Sequence, residues 1–297
     1  MHSNSSSDSD YDNDDFIVEI FDENDFSPGY HDLTDNTWHK QKGFKESRIY
    51  RLLGNHSRIL PVVEDREDEI MFPYLDNGDM WSFLLCNKSN PSYAPLTTCL
   101  TWAIEIAQGI AHLHANNVIW ADAHMGNMLF TDDFHIVLCD FGFGVLDAKF
   151  YHSFKMVPPL VFACPRLYYG IEPTCIDIFG FAVTLFALLE HRFPFTDNVS
   201  PNLESQHNVF RKYNDLEFDQ LRDPIMNTYF GQLLNDCFHA NISRGDQLVR
   251  ALVNAFTEWF KETGQVIEPG VPYPQEPEIL ALSLVPPMIR KGHGWSK

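Results

Sequence analysis

Trp120-Ala-Asp-Ala-His-Met-Gly-Asn127, followed thirteen residues after Asn127 by Asp140-Phe-Gly142, is the stretch on which the reading of this chain turns. An acid, an amide and a second acid at this spacing can hold a metal-bound nucleotide triphosphate beside a catalytic carboxylate. Asp122 is the candidate base that accepts a proton from an attacking hydroxyl. Asn127 and Asp140 offer the oxygen donors that a hard cation such as Mg²⁺ takes when it bridges phosphates.

Around this stretch lie 297 residues, 44% of them apolar, enough to bury a large core in one or two lobes. The formal charge of -20, with 21 Lys and Arg spread over the whole length, argues against nucleic acid and against acidic membranes as partners. The six cysteines (Cys86, Cys99, Cys139, Cys164, Cys175 and Cys237) form no C-x-x-C pair. With no secretory leader in the polar N-terminal residues, they read as the thiols of a reduced intracellular protein, cytoplasmic or nuclear. The longest apolar run, Ile178 to Leu189, is about a dozen residues where a bilayer needs roughly twenty, so it predicts a buried core helix.

Residues 1–36 hold eleven of the 41 acidic residues and no Lys or Arg. Residues 1–15 read as a disordered acidic tail whose Ser-Asp triplets could take phosphate, 16–75 as a small β-rich lobe, 76–268 as a mainly helical lobe, and 269–297 as a Pro-rich tail. In the small lobe, strands are expected at Phe16–Phe21, Ile59–Val63 and Glu69–Phe72, with a helix at about Lys42–Leu53 ended by Gly54. In the large lobe, the apolar period predicts helices at Met80–Leu85, Leu96–Asn116, Thr174–Leu189, Pro224–Cys237 and Asp246–Lys261. Short strands, Met128–Phe130 and Ile136–Leu138, flank the turn at Asp132-Asp133. His112 and His114 stand at i, i+2 on one helix and so face different ways, which does not suit zinc.

From about Glu46 to Phe260 the chain resembles a eukaryotic protein kinase domain of the Ser/Thr type. Trp120-Ala-Asp122 is similar to the catalytic-loop H-R-D, Asp122 to Asn127 has the family spacing, and Asp140-Phe-Gly142 matches D-F-G without substitution. Ala163-Cys-Pro-Arg166 resembles the end of the activation segment, and Asp177-Ile-Phe-Gly-Phe-Ala182 the start of the buried central helix. Phe72-Pro-Tyr-Leu75 resembles the gatekeeper and hinge, and Glu46 the helix glutamate that orients a phosphate-binding lysine.

The resemblance implies a two-lobed α+β fold with a reduced small lobe of about three strands and one helix. It implies ATP and Mg²⁺ as cofactors and a protein as substrate or partner. Asp122 is then the base, and Asn127 and Asp140 the metal ligands. Nucleotide contacts fall to Glu46, Phe72, the carbonyl of Pro73, the N–H of Leu75, and His124. Asp177 is implied to brace the catalytic-loop backbone. Arg244 resembles an arginine that pairs with a glutamate of the activation segment, where this chain has Arg166, so other contacts must hold that region.

Several positions depart from the pattern. No G-x-G-x-x-G loop and no V-A-I-K strand precedes Glu46. If Phe16–Phe21 is the lysine strand, Glu19 stands in the lysine's place, and Lys40, Lys42 and Lys45 lie too close to Glu46 to come from a preceding strand, which leaves a reach from the helix or its leading loop, as in some atypical kinases. Ala121 replaces the arginine that docks a phosphorylated activation loop, which weakens the case for Tyr151 and Ser153 as phosphosites. His124 replaces the lysine that contacts the γ-phosphate. Three functions therefore stand: phosphoryl transfer to protein Ser/Thr hydroxyls, weak or lost; a pseudokinase acting as a binding module; and a small-molecule kinase, since Asp-x-His-x-Gly-Asn is also similar to the loop of aminoglycoside and choline kinases.

Overall fold

The computed structural model describes residues 29–32, 36–41, 44–66, 69–87, 94–146, 158–165 and 171–264. Four short strands form an antiparallel sheet: β1 (Gly29–Asp32), β2 (Thr37–Gln41), β3 (Glu64–Asp65) and β4 (Glu69–Pro73), in the spatial order β1-β2-β4-β3. Helix α1 (Phe44–Leu53) follows β2 almost directly. It is polar overall, but Glu46, Ser47, Ile49, Tyr50 and Leu53 form a buried stripe at helical spacing, while Arg48 and Arg51 stay outside. Gly54 ends it in the left-handed conformation, φ 61°, that glycine adopts at no steric cost.

The small lobe corrects several expectations. The described residues hold four strands where about three were expected. The Phe16–Phe21 strand, with Glu19, lies outside the described residues. The strand before α1 is β2, and Lys40 belongs to it, its backbone opposite Ile70 of β4. The short link from β2 to α1 thus does not bar a strand lysine. Ile59–Val63 is not a strand. Ile59 makes a single parallel bridge to Leu138 and Leu60 N–H donates to the Leu138 carbonyl at 2.9 Å, which fastens the loop after α1 to the large lobe. Pro61, lacking an N–H, cannot extend that pairing.

The large lobe is built on α2 (Met80–Asn87), α3 (Leu96–Ala115), α4 (Cys175–Glu190), α5 (Leu203–Asn214), α6 (Pro224–Phe238) and α7 (Gly245–Thr263). The periodic helices fall within a few residues of their expected bounds, and α5 is additional. Helix α4 is apolar on every side because it lies at the centre, packed by α3 and α6. It is the expected buried helix, and no helix among the described residues is long and apolar enough to cross a membrane.

Between α3 and α4 run four short strands: β5 (Val118–Ile119), β6 (Met128–Phe130), β7 (Ile136–Leu138) and β8 (Val145–Leu146). β6 pairs with β7 and β5 with β8, so Asn127 and Cys139 end up side by side, with Cys139 N–H donating to the Asn127 carbonyl at 3.0 Å. Buried Glu105 of α3 holds this hairpin from behind. Its carboxylate takes Arg58 at 2.9 Å, His135 Nδ1 at 2.6 Å and the Ile136 N–H at 2.8 Å. A buried carboxylate with that many donors is satisfied, so its role is to fix the hairpin against α3 and the loop after α1.

Candidate active site

The loop between β5 and β6 carries Asp122 and is held from below by Asp177, a fully buried carboxylate in the first turn of α4. Asp177 Oδ2 accepts the Trp120 N–H at 2.8 Å, and Oδ1 accepts the Ala121 N–H at 2.9 Å. His114 adds a third contact. Its Nδ1 accepts the Gly245 N–H at 3.0 Å, so its proton resides on Nε2, 3.0 Å from Asp177 Oδ2. His112 takes a different role, with Nε2 2.9 Å from the Leu53 carbonyl and its ring stacked on His56 at 4.0 Å. Gly180 lets α4 approach the loop, since a Cβ there would stand 2.1 Å from the Ala123 carbonyl oxygen.

This bracing holds Ala121 at φ 65°, a left-handed conformation that costs a non-glycine residue on the order of 1–3 kcal/mol. One residue on, the buried Asp122 carboxylate accepts the Asn127 Nδ2 at 2.9 Å through Oδ2, and the same nitrogen lies 3.1 Å from the Asp122 carbonyl. With its amide nitrogen spent on Asp122, Asn127 keeps its Oδ1 as a metal donor. His124 is half-buried beside them, Nε2 3.5 Å from Asp122 Oδ2.

Asp140 lies at φ 53°, its carbonyl accepting the Trp120 indole N–H at 3.1 Å, as does that of Cys139. The one side chain therefore ties the two functional loops together. Glu46 reaches this point from α1, with its Oε2 about where a Cβ at Gly142 would touch it, at 4.0 Å. Asp122, His124 and Asn127 are thus in mutual contact, and Glu46 stands beside the Asp140-Phe-Gly142 turn, the two groups being joined through Trp120 and the Asn127–Cys139 backbone bond.

An aromatic column runs behind them: Phe72 of β4, Tyr50 of α1, Phe141 and Trp120, with centroid separations of 5.0, 4.9 and 6.1 Å. Burial, reinforced by Cys139, Glu46 and Asp140, raises the Tyr50 phenol well above its ordinary range, so it stays neutral. Lys45, half-buried at the start of α1, is lowered by burial while the Glu46 carboxylate opposes the shift. Phe72 is buried, and Pro73 and Leu75 are half-buried. The Leu75 N–H takes no backbone partner among the described residues, whereas its carbonyl accepts the Gly78 N–H at 3.1 Å.

Asn127 and Asp140 fit a Mg²⁺ ion. They are hard oxygen donors at adjoining strand ends, and this cation commonly takes one or two protein ligands with phosphates and water completing its shell. No cluster of three or more His, Cys, Asp or Glu side chains that could cage a metal exists among the described residues. Arg166, Tyr151, Ser153 and the N-terminal Ser-Asp triplets lie outside the described residues. Arg244 contacts Asp246 at 3.3 Å on the surface. Tyr50, Gly126 and Gly180 were not singled out from the sequence, although the last two are small residues inside its motifs, and Lys40 was expected on the helix or its leading loop, not on the strand where it lies.

Among proteins of known kind, the chain is similar to the tyrosine-protein kinase receptor TYRO3 of Gallus gallus, 25% identical over 154 residues, which is 50% of this chain and 18% of the relative. It is similar to a probable serine/threonine-protein kinase of Dictyostelium discoideum, 28% identical over 170 residues, 56% of this chain and 17% of that one. A serine/threonine/tyrosine-protein kinase of Arabidopsis thaliana is 25% identical over 127 residues, 42% of this chain and 32% of the relative. The chain therefore spans a third or less of each relative's length. The family model described as the protein kinase domain matches residues 31–245, taking in β2, α1, the Asp122 loop, Asp140 and Asp177. A match over well more than half the chain, covering these residues, means that the chain belongs to the protein kinase domain family.

Proposed function

We propose that this domain transfers the terminal phosphate of ATP to Ser or Thr hydroxyls of a protein. The observation that carries the reading is the 2.9 Å bond from Asn127 Nδ2 to Asp122 Oδ2, which orients the base and points the amide oxygen outward as a metal donor. Asp122 accepts the proton of the acceptor hydroxyl. Asn127 and Asp140 hold the cation, which when bound offsets charge on the phosphates. The Pro73 carbonyl and the Leu75 N–H receive the adenine edge, with Phe72 behind it. Glu46 orients a lysine toward the phosphates, and Lys40, on the strand just before α1, is our candidate for that lysine.

The pseudokinase reading keeps one specific support: the sequence has no G-x-G-x-x-G, so it supplies no glycine-rich cover for the phosphates. Losing one group that stabilises transition-state charge costs about 3 kcal/mol, on the order of a hundredfold in rate. Slow transfer is accordingly expected. The test is phosphate transfer from Mg²⁺-ATP to serine, threonine and tyrosine peptides, with Asp122→Asn as control. Transfer to serine or threonine that Asp122→Asn abolishes supports the proposal. Tyrosine-only transfer overturns the acceptor assignment, and no transfer to any peptide favours the binding module.

A further inference from the structure

We infer that His124 is a positioning residue for Asp122: its Nε2 faces the Oδ2 oxygen and leaves Oδ1 to take the acceptor's proton. The inference rests on the transfer reading above and deepens it. It also assigns His124 a partner other than the nucleotide phosphate.

The tautomer follows from the backbone. His124 precedes a single turn of 3-10 helix, Met125–Asn127, and its Nδ1 accepts the Gly126 N–H at 3.1 Å. A nitrogen that accepts carries no proton, so the imidazole hydrogen is on Nε2. Nε2 faces Asp122 Oδ2 at 3.5 Å, long for a hydrogen bond, as contacts between catalytic groups often are before substrate binds.

The ring is not free to look elsewhere. Phe162 and Trp81 flank it at centroid separations of 6.1 and 6.3 Å, and Trp81 is itself held by its indole N–H on the Val199 carbonyl at 3.0 Å. Beneath the ring, Gly126 leaves the space it needs, since a Cβ there would stand 2.9 Å from His124 Cε1.

The consequence falls on Asp122. Its Oδ2 accepts the Asn127 amide and faces the His124 imidazole Nε2 at 3.5 Å, while Oδ1 accepts no hydrogen bond among the described residues. The two oxygens are thus unequal, and the one left without donors is the better proton acceptor. During transfer the hydroxyl O–H bond breaks, its proton goes to Oδ1, and the oxygen's electron pair forms the new bond to phosphorus as the nucleotide's bridging oxygen leaves.

Two amide variants separate this role from a phosphate contact. Glutamine can place its Nε2 donor where the imidazole Nε2 was, whereas asparagine reproduces only the Nδ1 end. Losing one hydrogen bond to a charged group corresponds to a fall of about tenfold in kcat. We expect that fall in His124→Asn and in Gly126→Ala, which crowds the ring. In His124→Gln kcat should stay within about threefold, and KM for ATP should hold in all three. A risen KM for ATP with kcat intact, or equal losses in Gln and Asn, overturns the inference.

A second readout needs no turnover. In ¹⁵N-histidine spectra of the nucleotide-free full chain, His124 should show the Nε2–H tautomer, with ring signals that move on Asp122→Asn. The Nδ1–H tautomer, or signals indifferent to Asp122, overturns the inference. A wild type that transfers no phosphate would sink the function reading alone, and the ring signals would still decide this one.

Discussion

Asp177 is placed beneath the Asp122 loop and not among the proposed reacting groups, yet removing it should be strongly destabilising. Its two oxygens satisfy the Trp120 and Ala121 N–H groups and the His114 Nε2–H, all buried. Asp177→Ala would orphan three donors, each costing about 1–3 kcal/mol. We expect stability from urea unfolding to fall by about 4 kcal/mol, and a loss below about 1 kcal/mol would contradict the bracing role. A second residue-scale prediction concerns pH. Burial, with stacked His112 and nearby Arg58 adding to it, lowers His56 from 6.5 to about 4. The unfolded chain therefore binds this proton first as pH drops, and the stability due to a neutral His56 is lost between about pH 6.5 and 4. After allowance for solvent screening the effect is about 1–2 kcal/mol. His56→Asn, which keeps an acceptor for the Arg58 N–H, should flatten unfolding free energy against pH over that window, and an unchanged slope would contradict the assignment. At this scale the sequence showed most of the site, because Asp122, Asn127 and Asp140 sit at fixed spacing in local segments. It hid Tyr50's place in the aromatic column, which depends on segments far apart in the chain, and His124's contact with Asp122, which depends on the turn of the loop that carries both.

The helices were legible wherever burial imposes a period. α3, α4, α6 and α7 carry enough apolar residues to show one, and Gly or Pro marks several of their ends. Helix α5 did not show, because Leu-Glu-Ser-Gln-His-Asn-Val-Phe-Arg-Lys-Tyr-Asn buries only Val209 and Tyr213 and starts on an Asn202 side-chain cap. Strands β1 and β2 escaped for a related reason. Gly-Tyr-His-Asp and Thr-Trp-His-Lys-Gln show no apolar alternation, and it is pairing that makes them strands, β2 with β4 and β1 with β2. The β-branched look of Ile59–Val63 misled, since Pro61 interrupts any ladder there. Helix packing yields its own prediction. Gly180→Ala would push a methyl into the Ala123 carbonyl and drive α4 and the Asp122 loop apart. Overpacking of this kind should cost about 3 kcal/mol in thermal or urea unfolding and lower any transfer activity. A neutral effect on both would mean that the loop does not depend on this close approach.

At the scale of the described molecule, α4 braces the Asp122 loop of the large lobe and Glu46 of α1 reaches the Asp140-Phe-Gly142 turn from the small lobe. The column Phe72–Tyr50–Phe141–Trp120 joins them, so the Asp140 loop and the sheet are packed as connected parts. The large lobe supplies the proposed base, Asp122, and the proposed oxygen donors, Asn127 and Asp140. From the small lobe, Glu46 reaches the Asp140-Phe-Gly142 turn, Lys40 lies on the strand before α1, and the sequence has no G-x-G-x-x-G. A nucleotide that binds only the folded chain raises its stability by about 2.7 kcal/mol at a hundred times its dissociation constant. The most direct test is unfolding with and without Mg²⁺-ATP, followed by transfer to a Ser/Thr peptide, for the wild type and Asp140→Asn. The account predicts Mg²⁺-dependent stabilisation and slow transfer in the wild type, both lost in Asp140→Asn. Stabilisation by ATP that ignores Mg²⁺ and Asp140, or transfer that survives Asp140→Asn, would contradict it.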